Sequence, residues 1–384
     1  MKIDAEEDFH ALDALRGGAS LVVAIAHAWQ VFLYPYSGDS AVFSTLGGAA
    51  TWSVAVFFLL SGMLIARSIR RRADQGFSLG DYVLARCLRI FPPLVAAVAI
   101  TVAVVLIIKG FDLYGAESYL LPGDLAAARE KADFRWGQIL PTLLLTYKLI
   151  PIDRFEDFLS FNGPLWSLSF EFWLYILAGL GASVIFNRSF FSLAAGGFLL
   201  YLMFFASKAV EPPFISVAVV WFLGFAIGWT GGDGRSMLLS KRFAVCGLAI
   251  AAALAIGQSQ TLSYLKAPYS DAFQYVFYWM GSVVLLVGIC ATMRSKGFAP
   301  GMRLLQWAAS CSYTLYLVHF PLFMLALSIF RPSLLWAGAA GAALLSIGSF
   351  IVVVGISWLL ARVVENRALL HGAVALILPR RELA

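Results

Sequence analysis

The run from 333 to 361, "SLLWAGAAGAALLSIGSFIVVVGISWLLA", contains no charged residue, and the runs 92–108, 213–230, 242–258 and 274–293 are long and almost uncharged. At ~1.5 Å of rise per residue, ~20 mainly apolar residues cross the hydrocarbon core of a bilayer. A backbone in that medium satisfies its polar groups only as a helix or as a closed barrel. The apolar character here is continuous rather than alternating with period two, which disfavours a β-barrel and predicts an all-α polytopic membrane protein. Composition agrees. Of the 384 residues 61% are hydrophobic and 13% are charged, against about 25% charged in a soluble domain.

Crossings are expected at 13–34, 51–70, 90–108, 165–187, 189–207, 213–230, 242–258, 274–293, 304–330 and 333–361, about ten in all. The piece "ILPTLLLTYKLIP" (139–151) is too short to cross and carries Pro141 and Lys148, so it reads as re-entrant or interfacial. Short loops on the cytoplasmic side are enriched in lysine and arginine. Arg67, Arg70, Arg71, Arg72, Arg86 and Arg89 share one loop region; Arg235, Lys241 and Arg242 share the next, then Arg294, Lys296 and Arg303. With ten crossings these all fall on one side together with both termini, which are therefore expected in the cytoplasm. Residues 1–384 read as a single membrane domain with no appended soluble domain, because the longest polar stretch, 109–136, is short of an independent core. The acidic start "MKIDAEEDFHALDAL" lacks the basic region of a signal peptide, so the first apolar run is expected to be retained. The net charge of +6 sits between spans without a basic stripe, so nucleic acid is not an expected partner; the lipid bilayer is. Cys87, Cys246, Cys290 and Cys311 are scattered, and neither a metal site nor a disulfide framework is expected.

Ionisable residues inside spans are costly and mark function by default. Arg16 and His27, in "LDALRGGASLVVAIAHAW", are eleven residues apart, which places them within about 20° of one helix face and ~16 Å apart along it. On the expected topology Arg16 lies near the inner end, with the arginines of 67–89. His27, Glu171 of "PLWSLSFEFWLY" and His319 of "SYTLYLVHFPL" fall in an outer-half layer, with Ser61 of "FFLLSGMLI" a little deeper. The pattern describes a passage with a cationic mouth and a titratable interior. Arginines at such a mouth suit a phosphate-bearing carrier, because guanidinium is a rigid multidentate donor. A neutral imidazole takes a proton from a hydroxyl, and a carboxylate on its other nitrogen would orient it.

These stretches resemble the acyltransferase-3 family of integral membrane O-acyltransferases, bacterial proteins that modify surface polysaccharides, lipopolysaccharide, Nod factors and antibiotics. Arg16 and His27 match its R-x10-H element, and "FFLLSGMLIARSI" matches F-F-x-x-S-G. "LARCLRIFPPL" matches R-x-x-R-I-x-P through Arg86, Arg89 and Pro92, and "PLWSLSFEFWLY" matches W-S-L-x-x-E through Trp166, Ser167 and Glu171. "SYTLYLVHFPL" matches S-Y-x-x-Y-x-x-H-x-P, which includes Tyr316 and His319. Phe172 stands where a second acid is common, and "VVENRALL" lacks the proline that often follows the last glutamate, which leaves Glu365 without a role. The resemblance implies a bacterial inner-membrane enzyme. Its donor is acyl-CoA, with acetyl-CoA the first expectation, and its acceptor is a carbohydrate or glycolipid hydroxyl. It assigns His27 as general base, Glu171 as its orienter, and Arg16 with Arg86 and Arg89 to the CoA phosphates. Ser61, Trp166, Tyr316 and His319 are candidate lining residues.

Plainer readings compete. Ser61 beside Gly62 reads as a packing contact ahead of a nucleophile, Arg70 to Arg72 as a topology signal, and Trp166 and Tyr175 as belt aromatics. His319 is divided between site and scaffold. A transporter or flippase for a lipid-linked or anionic small molecule also suits buried His, Glu and Arg along a path, although no inverted repeat is evident.

Overall fold

Main-chain hydrogen bonds close locally, within helices, through most of the residues that the computed structural model describes: 2–116, 124, 131–147, 158–203, 212–230, 300–366, 368–370 and 372. No strand occurs among them. Helix α1 (Lys2–Ala28) runs on through a π-helical turn, Trp29–Leu33, and a further turn, Tyr34–Ser37. Helices α2 (Ala41–Ala73) and α3 (Leu79–Gly110) each start at a serine. Ser40 Oγ accepts the Phe43 N–H and Ser78 Oγ accepts the Asp81 N–H, both at 3.3 Å, which satisfies a donor that the first helical turn leaves open. Then come α4 (Trp136–Leu144), α5 (Trp166–Asn187, entered through the 3-10 turn Ser160–Leu165), α6 (Phe190–Tyr201) and α7 (Pro212–Thr230). Helices α8 (Pro300–Ala309) and α9 (Ser312–Val364) follow.

Five helical stretches among the described residues are long and apolar enough to cross a bilayer: Leu12–Ser37, Ala41–Ala73, Leu79–Gly110, Ser160–Asn187 and Ser312–Leu370. The 53 residues of α9 amount to ~80 Å, against a hydrocarbon core of ~30 Å. The helix breaks at Gly338, whose φ of 62° and ψ of −158° suit glycine. Either side of the break is long enough to cross. The expected boundary at 330–333 therefore moves to Gly338, because the helix continues past Pro332. At its other end the expected crossing 304–330 divides between α8 and α9. The expected crossings 242–258 and 274–293, and the basic loops beside them, lie outside the described residues. The short piece expected at 139–151 begins inside α4, a helix of nine residues that starts at Trp136 and stops at Leu145 in left-handed conformation (φ 55°); residues 148–151 lie outside the described residues.

Helix α7 lies along α2, and α1 lies against α8, α2 and α9. In lipid, apolar side chains gain little by turning from tails to protein, so helices associate where small residues let their backbones approach. A Cβ on Gly62 would run into the Trp221 carbonyl oxygen, and one on Gly224 into the Leu59 carbonyl oxygen. Each helix thus presents a glycine to a carbonyl of the other. Gly17 of α1 meets the Leu305 carbonyl of α8 in the same way. Around these approaches Phe58, Leu59, Ile65 and Trp221 form one buried cluster, and Phe32, Phe320 and Phe323 belong to a second. Gly62→Ala is expected to destabilise the detergent-solubilised protein by about 1–3 kcal/mol in thermal unfolding, through overpacking. Gly348→Ala, with nothing within 4 Å of the added Cβ, should leave it unchanged or slightly raised.

Candidate functional site

Helices α1 and α9 run side by side in the same direction. Arg16 Nη2 donates to the carbonyl of Ala309, just before α9, at 2.9 Å. Further along both helices His27 Nδ1 lies 2.7 Å from His319 Nε2, with ring planes 15° apart. His319 is fully buried and His27 half-buried, and the edge of Phe320 packs on His27 while that of Phe323 packs on His319.

The direction of the histidine hydrogen bond follows from the main chain. His319 Nδ1 lies 2.9 Å from the Leu315 carbonyl oxygen, and a carbonyl oxygen only accepts. Nδ1 of His319 therefore carries the proton, and in the neutral ring Nε2 accepts. His27 must then donate through Nδ1, which leaves the lone pair of neutral His27 on Nε2. The arrangement fixes a tautomer suited to taking up a proton at Nε2.

Toward the Arg16 end the helices form a cleft. Its polar wall holds Arg16, Arg89, Glu171, Ser61, Tyr313 and Tyr316; its apolar wall comes mainly from α2, through Val54, Phe57, Leu60 and Leu64. Arg16 Nε and the Tyr313 hydroxyl are buried without a hydrogen-bond partner among the described residues. Such groups are costly unless something fills the space beside them. Tyr316 connects this cleft to the histidines: its hydroxyl is 2.8 Å from Ser167 Oγ, and its ring centroid is 6.1 Å from that of His319.

Glu171 is not the partner of His27 Nδ1, which faces His319. It accepts a short hydrogen bond from Tyr175, whose hydroxyl accepts from Ser61 at 2.9 Å, and Ser61 accepts from Trp221 Nε1 at 3.1 Å. The expected outer layer for Glu171 fails because α5 does not begin at the edge of the bundle. Its entry turn is already buried at Phe161, Asn162, Pro164 and Leu165, and Asn162 bonds the Leu317 carbonyl at 2.9 Å, two residues from His319. Nine residues further on, roughly 13 Å, Glu171 lies at the arginine end. His319 takes the place beside His27 that had been expected for a carboxylate.

The two arginines of "RCLR" also separate. Arg89 lines the cleft. Arg86 points to α2, where it is 3.4 Å from Ser68 Oγ and shares that hydroxyl with Arg72 at 2.7 Å, both guanidiniums lying near the Tyr82 ring. Ser61 lines the cleft and is hydrogen-bonded, while its neighbour Gly62 makes the close helix contact. Trp166 packs edge-on to Phe170 against the core. Sequence reasoning missed Tyr175 as a site residue, although its i+4 spacing from Glu171 on a helix was a usable signal. Among the described residues no three His, Cys, Asp or Glu gather as a metal site.

Glu365, at the far end of α9, accepts from the Thr314 N–H at 3.0 Å and from the Thr314 hydroxyl at 2.5 Å. It supplies from a distance the capping acceptor that Cys311 does not provide for this helix start. Glu365 thereby ties the end of the chain's last long helix to the segment that carries Tyr316 and His319.

A family profile described as an acyltransferase domain matches residues 9–362. Nodulation protein 10 of Rhizobium leguminosarum bv. viciae is 30% identical over 171 residues, 43% of this chain and 41% of that protein. Acyltransferase MdmB of Streptomyces mycarofaciens is 31% identical over 169 residues, 43% of this chain and 37% of that protein. The chain thus spans less than half the length of these relatives. No solved structure matches it.

Replacing Glu365 by alanine strips both acceptor contacts from Thr314. Thermal unfolding in detergent should show a loss of about 0.5–2 kcal/mol, and Glu365→Gln, which keeps an acceptor oxygen, should retain most of it.

Proposed function

The chain belongs to the acyltransferase-3 family, and from that premise we propose that it is an O-acyltransferase of a bacterial inner membrane, moving an acyl group, acetyl first, from cytoplasmic acyl-CoA to a hydroxyl of an extracytoplasmic or membrane-linked saccharide. The donor enters at the Arg16 end. Arg16 and Arg89 take its phosphates, with Arg86 and Arg72 in the adjoining niche, since guanidinium–phosphate hydrogen bonds are charge-assisted and multidentate. Glu171, held by Tyr175, tempers the positive field of Arg89 there rather than acting on the imidazole.

His27 Nε2 takes the proton of the acceptor hydroxyl as its oxygen attacks the thioester carbonyl carbon. The tetrahedral intermediate collapses with cleavage of the C–S bond, and the imidazolium returns the proton to the departing sulfur. His319, through Nε2, accepts from His27 Nδ1–H and steadies the charge that His27 carries in between. The observation that carries this reading is the His27–His319 contact at 2.7 Å, given its direction by the Leu315 carbonyl. The similarity to Acyltransferase MdmB supports it.

The test is transfer of labelled acetyl from acetyl-CoA to a saccharide fraction in membranes of producing cells. His27→Ala should lower the rate by about 10²–10⁴-fold, the usual worth of a positioned base. Arg89→Gln should raise the donor KM by about tenfold or more, with a smaller effect on kcat. Transfer should survive permeabilisation. Wild-type transfer by His27→Ala would sink the reading, and so would movement of a labelled lipid-linked sugar across sealed membranes without acylation, the result a transporter gives.

A further inference from the structure

Proline inside a helix leaves one carbonyl without its main-chain donor, the one four residues earlier. Pro321 lies inside α9, two residues beyond His319, so the orphaned carbonyl is that of Leu317. In a bundle that excludes water, such an acceptor needs another donor. Asn162 provides it: Nδ2 lies 2.9 Å from the Leu317 oxygen and 3.1 Å from Thr101 Oγ1.

Several facts make the assignment specific. Asn162 is completely buried. Its amide cannot be turned over, because that would set an oxygen against the Leu317 oxygen. Thr101 spends its own proton on the Ala97 carbonyl at 2.7 Å, so it accepts from Asn162. The other amide atom, Oδ1, is buried with no hydrogen-bond partner among the described residues. An apolar residue here would avoid that orphan, so the value of an asparagine lies in its donors. The backbone agrees: Asn162 has φ −116° and ψ 69°, outside the helical region, in the turn that precedes α5.

We propose that Asn162 is a positioning residue for the acyl transfer, replacing the donor that Pro321 withholds and so fixing the segment of α9 that holds His319 against His27. The inference rests on the catalytic reading of His27. The stretch from Leu315 to Pro321 has two carbonyls engaged by side chains. Leu315 fixes the His319 tautomer from within the helix, and Leu317 is held by Asn162, which also grips α3 through Thr101. Without Asn162 the Leu317 carbonyl is left unmet and this segment can shift to relieve it, and a shift of His319 by a fraction of an ångström lengthens its bond to His27.

A double-mutant cycle on the full chain tests this: Asn162→Leu, Pro321→Ala and the two combined. Each is assayed in membranes for labelled acetyl transfer and, after solubilisation, for thermal unfolding. Asn162→Leu is expected to lower kcat about ten- to a hundredfold, with the donor KM changed by less than about twofold. Pro321→Ala gives Leu317 a main-chain donor again, so the combined variant should come within about threefold of Pro321→Ala alone in kcat, and match it in unfolding temperature. Should Asn162→Leu fail to accumulate, Asn162→Ala replaces it in the cycle with the same expectation, since it removes the donor without adding bulk. Additive losses in the combined variant, or wild-type kcat in either Asn162 variant, overturn the assignment. Coupling in unfolding without any effect on transfer overturns the positioning role. If the wild-type chain transfers no acyl group while unfolding still shows the coupling, the proposed function fails and the Asn162–Leu317 bond stands.

Discussion

Between Ser312 and Pro321 three main-chain polar groups of one helix are engaged by side chains. Glu365 takes the Thr314 N–H at the helix start, His319 takes the Leu315 carbonyl, and Asn162 donates to the carbonyl that Pro321 orphans. Inside a membrane bundle an unmet polar group is expensive enough to select one arrangement. That requirement is what holds the histidine pair in place. It also sets its chemistry, because an oxygen that only accepts determines which ring nitrogens carry protons.

The second organising feature is the separation of positive charge from the imidazoles. Arg16 and Arg89 share the cleft with Glu171, and the charge of Glu365 reaches both arginines. Glu171 and Glu365 thus offset part of the positive charge that Arg16 and Arg89 bring there. The histidines stand apart, past the Tyr316–Ser167 contact, among Phe320 and Phe323. On the proposed mechanism, holding a charged carrier and moving a proton fall to different levels of the α1–α9 contact, where the two helices run in parallel.

Close helix packing makes this geometry durable. Gly62 and Gly224 bring α2 and α7 to backbone contact, and the neighbouring Ser61 and Trp221 then meet and support Tyr175, which holds Glu171. The motif "FFLLSG" therefore has two jobs on adjacent residues: the glycine sets the distance and the serine carries a hydrogen bond.

Much was legible in the chain by itself. The long uncharged runs determined a helical membrane protein, because only hydrogen bonds closed within a segment survive in hydrocarbon. The eleven-residue interval put Arg16 and His27 on one face, since α-helical spacing is fixed by the backbone. What the sequence could not decide is which helices touch and at what depth. Glu171 went to the arginines instead of His27 because its helix starts deep, after a buried turn that no periodicity announces. Arg86 and Arg89, adjacent turns of one motif, face different neighbours. The partners of Leu317 and Thr314 come from residues 155 and 51 positions away. Pairings across such distances depend on how whole helices settle against one another, and only the tertiary structure decides that.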